Sequence, residues 1–318
     1  MLTSEGGRLN RICFDGTRRG GPRGRLAVRA PMCDRVVMPS AETSAPLRPN
    51  GRPVRRRAVM AVVNRTPDSF FDKGATYGFG AALEAVDRVV AAGADIVDIG
   101  GVKAGPGEDV DAAEERRRVV DLVAAVRERH PDTVISVDTW RAEVGAAVAE
   151  AGADLLNDTW GGADPELAAV AAQYGTGLVC AHPGALEPRM RPHRAAFDDV
   201  VADVLDRVLG EAERALALGV PRDGIVIDPA HDFGKNTRHS LEITRRLGEL
   251  AATGWPVLVA VSNKDFIGET LDRPVGERAA GTTAVLALSA WLGASVFRVH
   301  DAAAARRALD AVEALAGR

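Results

Sequence analysis

From Ala58 onward, short apolar runs alternate with longer Ala-rich stretches of helical spacing, and the alternation repeats eight times. The runs fall at 58–63, 95–99, 133–137, 154–157, 176–181, 224–227, 256–261 and 295–299. Brief β-branched runs bounded by turn residues read as strands buried on both faces. Between them the spacing predicts helices over 81–92, 111–129, 141–151, 166–173, 198–218, 240–252 and 279–292, and 302–316 closes the chain. Gly-Ala-Asp recurs at 93–95 and 152–154, and Gly293-Ala294-Ser295 is a third version, each joining a helix to the next strand. Glycine there supplies the left-handed residue that ends a helix. Eight such units predict a parallel sheet closed into a (β/α)8 TIM barrel, with a doubly wound open sheet as the alternative.

Polar residues are distributed unevenly between the two kinds of joint. The helix-to-strand joints are bland turns. The strand-to-helix joints carry Asn64-Arg65-Thr66-Pro67-Asp68, Asp98-Ile-Gly-Gly101, Ser136-Val-Asp138-Thr139, Asn157-Asp158, His182, Asp228-Pro-Ala-His231, Ser262-Asn-Lys264-Asp265 and Arg298-Val-His300-Asp301. In α/β barrels ligands bind at the ends where strands lead into helices. Thr139, Asp158 and Asp301 are read as helix caps; capping alone does not account for eight polar joints on one side.

Composition narrows the class. Aromatic residues are only 4% of the chain, so the core is built from Val, Leu, Ile and Ala. No apolar run approaches the roughly 20 residues needed to span a bilayer, so a soluble, cytoplasmic protein without a membrane role is expected. The formal charge of −4 hides an imbalance: residues 1–57 hold 13 Arg, no Lys and 4 acids, leaving the remainder strongly acidic. That balance argues against nucleic acid as a partner of the main body. The Arg/Gly/Pro-rich head, residues 1–57, lacks periodicity and is expected to be a disordered basic extension before a barrel of residues 58–318. Cys13, Cys33 and Cys180 form neither a disulfide framework nor a metal-ligand spacing, and Cys180 reads as a small residue at a strand end.

The loop Asn64-Arg-Thr-Pro-Asp-Ser-Phe70 after the first strand resembles the first loop of dihydropteroate synthases, Asn-Val-Thr-Pro-Asp-Ser-Phe-Ser-Asp-Gly-Gly. Ser136-Val-Asp138-Thr, Asp228-Pro and Arg298-Val-His300-Asp extend the resemblance, in order, over about 260 residues. It implies a (β/α)8 barrel that joins a dihydropterin methyl pyrophosphate to para-aminobenzoate, releasing pyrophosphate with Mg²⁺ present, and a homodimer paired through outer helices. By the same resemblance, Asp138, Asn157 and Asp228 would read the pterin ring and Lys264 would contact its acceptor edge. Phe233, Ser262 and Asp265 would complete the substrate pocket. Asn64, Arg298 and His300 would serve the departing pyrophosphate and its metal, with Asn64 on the metal, and together with Lys264 they would form the catalytic set. Folate-type methyltransferases share the ring-binding residues, but their substrate lacks the pyrophosphate that Arg298-Val-His300 suits.

Several positions depart from the family's wording. Its second loop, Gly-Gly-Glu-Ser-Thr-Arg-Pro-Gly, is here Gly100-Gly-Val-Lys103-Ala104-Gly105-Pro-Gly107, without the threonine and arginine. In the first loop, Phe71 and Lys73 replace serine and glycine, and Asp72 has lost the arginine that would pair with it, although Lys103 or Lys73 could supply charge from another backbone position. Asp-Pro-Gly-Ile-Gly-Phe-Gly-Lys has become Asp228-Pro-Ala230-His231-Asp232-Phe233-Gly-Lys235, and Met-His-Met is Ala181-His182-Pro183. The serine that helps hold the para-aminobenzoate carboxylate is Asp265, either an anion facing the substrate's anion or a helix cap. The expectation is a dihydropteroate synthase-type transferase. The alternative is a divergent paralogue with little or no such activity that binds pterin or uses another acceptor.

Overall fold

Seven of the eight sheet seams are runs of parallel pairing, and the eighth is a single bridge. The computed structural model describes residues 46–67, 74–105, 107, 109–184, 187–190 and 196–317. Its strands are β1 (Ala58–Asn64), β2 (Ile96–Gly100), β3 (Val134–Asp138), β4 (Leu155–Asp158), β5 (Gly177–Ala181), β6 (Ile225–Asp228), β7 (Leu258–Val259) and β8 (Val296–Val299). Around them lie α1 (Phe79–Ala91), α2 (Ala112–Arg129), α3 (Ala142–Glu150), α4 (Leu167–Tyr174) and α5 (Val200–Leu218). The second half adds α6 (Thr237–Arg245), α7 (Leu247–Ala251), α8 (Asp265–Leu271), α9 (Ala279–Trp291) and α10 (Ala302–Leu315). The sheet order β6-β5-β4-β3-β2-β1-β8-β7 closes where Ile227 N–H donates to Pro256 O at 2.9 Å. The closed barrel is therefore the observed architecture, not the open sheet. No helix among the described residues is long and apolar enough to cross a membrane.

Two expected elements differ. The strand expected over 256–261 has only two ladder residues, because Pro256 has no amide proton to give. The helix expected over 240–252 begins earlier, at Thr237, and breaks at Arg246, whose ψ of 16° leaves the helical region.

Alternation along each strand creates the site. In β1, Ala58 and Met60 point into the barrel, while Val59, Ala61 and Val63 pack outward against the helices. Side chains two apart share a face, so Val62 and then Asn64 follow Met60 on the inner face. The same parity leads from Ile96 to Asp98, from Val134 through Ser136 to Asp138, from Leu155 to Asn157 and from Val226 to Asp228. In the last two strands it leads from Leu258 through Ala260 to Ser262, and from Val296 through Arg298 to His300. Each of these seven staves is apolar below and polar above, whereas β5 leads from Val179 to Ala181.

The lower end is closed by contacts that bland joints do not suggest. Asp95 Oδ2 accepts from Val59 N–H at 2.8 Å and pairs with Arg306 at 3.3 Å, and its other oxygen lies 3.4 Å from Arg55. Asp154 repeats the pattern: Oδ2 accepts from Ile135 N–H at 2.9 Å and pairs with Arg127, and Oδ1 pairs with Arg52 at 2.9 Å. Gly93 (φ +92°) and Gly152 (φ +108°) also leave room for the stems, since a Cβ there would lie 3.2 Å from Arg306 Cγ and 3.1 Å from Arg127 Cγ.

Arg52 and Arg55 belong to the expected disordered head, and here the expectation needs correcting. Leu47 is 6% exposed and joins Met60, Ile96, Val134, Leu155 and Val226 inside the barrel, with Val54 packed beside them. The physical reason is that an open barrel end needs an apolar cover, and the joint carboxylates need cations. Residues 1–45 lie outside the described residues.

Candidate functional site

Asp98 organises the rim. It is fully buried, accepts from Ser136 Oγ at 2.7 Å and from Asn157 Nδ2 at 3.3 Å, and pairs with Arg298 Nε at 2.6 Å. Arg298 Nη2 reaches on to Asp138 Oδ2 at 2.7 Å, and Thr159 Oγ1 donates to Asp138 Oδ1 at 3.1 Å. One guanidinium thus bridges two carboxylates, a geometry its planar fork suits. Because a carboxylate only accepts, Asp98 fixes the Asn157 amide with its nitrogen inward. Asn157 Oδ1 is buried with no hydrogen-bond partner among the described residues. A buried orphan acceptor costs about 1–3 kcal/mol, so it marks a position that a ligand N–H would relieve.

Burial raises Asp138 to about 7, against the pull of Arg298 and with a further push from Asp98. Asp228, 4% exposed, is also raised by burial, opposed by Lys264 and by the Ala230 N–H that donates to it at 2.7 Å. Lys264 is lowered by burial, with Asp232 and Asp228 opposing; its ammonium donates to His231 O and sits 4.9 Å from the centre of the Phe233 ring.

Above this network is a cavity of about 270 Å³. Asn64, Thr66, Asp138, Phe233, Ser262, Lys264, Arg298 and His300 line it, together with Lys103, Ala104 and Gly105 of the second loop. Asn64, Lys264, Arg298 and His300, the four residues of the expected catalytic set, are therefore brought together. Asn157 and Asp228 are buried outside the wall. Ser262 sits in the wall, but its hydroxyl takes the His300 backbone N–H at 3.3 Å and lies 3.0 Å from His300 Nδ1, so it orients the histidine.

Mg²⁺ wants an octahedron of oxygens. The wall offers the Asn64 amide, the Thr66 hydroxyl and an Asp138 carboxylate already engaged by Arg298 and Thr159, all beside Lys103, Lys264 and Arg298. Among the described residues no cluster of three or more His, Cys, Asp or Glu could hold a metal ion. The described residues alone do not make a cage for Mg²⁺, which usually binds through one or two protein ligands, waters and a substrate's phosphates.

Asp265 departs from both readings given to it. It is absent from the cavity wall, its side chain is 78% exposed, and it pairs with Arg278 Nη1 at 2.8 Å. It does not cap α8 either: Lys264 holds the N-cap position and Asp265 lies in the first turn, where the helix dipole favours an anion. The repulsion expected against a carboxylate substrate is therefore neutralised by Arg278, which is buried across Gly268.

Of the joints read as caps, Asp301 accepts from Ala304 N–H at 2.9 Å and is one. Asp158 instead accepts from Trp160 and Gly162 N–H within its own loop, and burial lifts it to about 6. Thr139 accepts from Arg141 N–H at 3.2 Å, one turn before the helix proper. Cys180 is buried, as a small strand-end residue would be. Lys235 is buried and donates to the carbonyls of His182, Phe233 and Ala230 at 2.7, 2.8 and 3.2 Å. It ties the fifth and sixth loops together. Phe71, Asp72 and Lys73 lie outside the described residues. Sequence reading placed Asp98 at the rim without giving it a role and passed over Thr159; inner-face parity, two residues on from Ile96, points Asp98 into the site.

The family profile described as "Pterin binding enzyme" matches residues 60–300. Over 273 residues the chain is 55% identical to a protein of Mycobacterium tuberculosis named inactive dihydropteroate synthase 2, covering 84% of this chain and 86% of that one. A Mycobacterium leprae protein of the same name is 53% identical, at 84% and 94% coverage. The crystal structure of Yersinia pestis dihydropteroate synthase with a sulfonamide drug matches at a TM-score of 0.80 and 34% identity, covering 86% of this chain and 99% of that one. The expectation of a working dihydropteroate synthase-type transferase is corrected here: relatives more than half identical are named as inactive, which favours the divergent alternative. A profile that spans the barrel from β1 to β8 places this chain in the pterin-binding enzyme family.

Proposed function

We propose that this protein binds a pterin at the barrel rim and does not carry out dihydropteroate synthesis. The observation that carries the reading is the split within the site. Of the ring-reading groups, Asn157 and Asp228 are buried, Asp138 and Lys264 line the cavity, and Asn157 Oδ1 awaits a donor. The second loop, by contrast, presents Ala104 and Gly105, which have no polar side chain to offer a departing diphosphate. The names of the mycobacterial relatives agree with this division. A pterin carries adjacent N–H donors and acceptors, and buried carboxylates with an amide match them in kind.

Calorimetry with 6-hydroxymethylpterin tests the binding half. Wild type is expected to bind, and Asp138→Ala and Asp228→Ala to lose about tenfold or more, since each deletion strands ring donors at about 1–3 kcal/mol. Wild-type affinity in both variants would move the pterin elsewhere.

We also infer a homodimer through α9. Its outward face carries Ala280, Ala284, Leu288 and Trp291 at helical spacing, with Leu288 48% and Trp291 40% exposed. A helix that is apolar on its outer side needs cover. Light scattering is expected to give a dimer, and Leu288→Glu a monomer.

A further inference from the structure

We propose that Asp232 is a positioning residue of the rim: it clasps the sixth loop to the seventh and thereby fixes how Lys264 presents its ammonium to a pterin. This rests on the pterin reading and adds to it a residue outside the cavity lining, whose neighbour Phe233 and whose target Lys264 both belong to that lining. Asp232 holds φ +67°, a left-handed conformation that glycine adopts freely and a residue with a side chain only at a cost. The backbone turn alone therefore does not require a carboxylate here; its contacts do. Oδ1 accepts from Ser240 Oγ at 3.0 Å, whose oxygen takes the Asp232 N–H at 3.1 Å. Oδ2 accepts from Phe266 N–H at 3.2 Å, in the first turn of α8 and two residues after Lys264.

His231 completes the clasp. Its buried ring stacks on Phe266 at 5.6 Å and 25°, and its carbonyl takes the Lys264 ammonium. Carbonyl, ring and carboxylate contacts thus join residues 231–232 to residues 264–266. An ammonium directs its N–H groups tetrahedrally, so fixing one on His231 O sets the directions of the others. Burial works against this charge. Asp232 and then Asp228 favour it, as does Asp265 beside it, while Arg298 from β8 and Lys235 from the sixth loop oppose it. His231 itself is kept neutral by burial. Asp228 is buried, raised by that burial and one of the ring-reading groups, so a bound ligand would engage it. Asp232 is half-buried and bonded to α6 and α8, so its charge supports Lys264 whether the cavity is empty or filled.

The chain has only four lysines, Lys73, Lys103, Lys235 and Lys264. NMR of the full chain grown with ¹³C-labelled lysine therefore follows each ammonium through a pH titration, and a Lys264→Met sample assigns the signal. Asp232→Gly suits the left-handed backbone and removes the clasp. Asp232→Asn keeps an acceptor oxygen for the Phe266 N–H and removes only the charge. The Lys264 midpoint is expected to move to lower pH in both, because each loses a carboxylate that favours the ammonium. In calorimetry with 6-hydroxymethylpterin below these midpoints, Asp232→Gly is expected to bind about tenfold more weakly than wild type, and Asp232→Asn within about threefold of it. An unmoved Lys264 midpoint in both variants would overturn the proposal, as would wild-type affinity in Asp232→Gly. Equal loss of affinity in the two variants would overturn the clasp, because the retained oxygen would then hold nothing in place. A wild type that binds no pterin would overturn the pterin reading, and the NMR midpoint would still decide whether Asp232 holds Lys264.

Discussion

The two ends of this barrel are built from different positions, joint residues just before the strands below and inward-facing stave residues above, and their carboxylates and amides differ in how completely the chain satisfies them. At the lower end, Asp95 and Asp154 each take a strand N–H, an arginine from the outer helices and an arginine from the segment that plugs the barrel. At the upper rim, Asn157 Oδ1 is orphaned, Asp138 is held near a proton-sharing range, and Ala230 and Asp232 take φ values of +49° and +67°. A satisfied end contributes stability. An unsatisfied end stores the free energy that a ligand can recover.

The largest effect should come from breaking the satisfied end. Asp154→Ala strands Arg127, Arg52 and the Ile135 N–H. Urea denaturation should show a loss of about 3–5 kcal/mol, the cost of removing one partner of a buried ion pair. Pterin affinity of the folded fraction should be unchanged; a parallel loss of affinity would mean that the two ends are not independent.

Removing the plug comes next. A chain beginning at Ala58 loses Leu47 from the barrel interior and the cations Arg52 and Arg55 from the joints. A loss of about 2 kcal/mol or more is expected from the leucine alone, measurable as a lower denaturation midpoint. An unchanged midpoint would leave residues 46–57 as decoration on a self-sufficient barrel.

At the rim, pH should reveal Asp138. A carboxyl must be ionised to accept two ring N–H groups, and burial raises this one to about 7. Affinity for a neutral pterin should therefore rise with pH up to about 7 and level off above it, falling about tenfold per unit on the acid side. The stability sign is opposite: the folded chain holds this proton more tightly than the unfolded one, so the Asp138 contribution declines as pH rises from about 4 to about 7. Asp138→Asn should flatten both profiles. Profiles unchanged in that variant would assign the titration to another group.

The smallest effect concerns strain. Ala230 occupies the left-handed region at a position where the family has glycine. Ala230→Gly removes a steric cost of about 1–2 kcal/mol, partly offset by unfolded-state entropy of about 0.4–1 kcal/mol. A gain of about 0.5 kcal/mol is expected in a thermal melt.

Much of this was legible in the sequence, for identifiable reasons. Strand and helix periods survive in an Ala/Val-rich chain because each element buries one defined face, so seven strands lie within about one residue of their expected bounds. Asn64, Lys264, Arg298 and His300 were found because they stand in local motifs. Asp98 was placed at the rim but its organising role was not read, because its partners, Ser136, Asn157 and Arg298, come from three other strands and only the closed sheet brings them together. Asp265 misled because Arg278, thirteen residues on, neutralises it from across a turn. The plug misled for a similar reason. A segment without periodicity can still be ordered when its few apolar and basic residues meet a cavity and carboxylates built elsewhere.

On this reading the rim holds a pterin and does not use it in dihydropteroate synthesis. A single-turnover experiment tests this most directly: protein in excess over 6-hydroxymethyl dihydropterin diphosphate, mixed with para-aminobenzoate and quenched over time. The pterin ester is expected to stay bound and to be recovered intact, with no pyrophosphate release that depends on para-aminobenzoate. Stoichiometric release of pyrophosphate on adding para-aminobenzoate would contradict it.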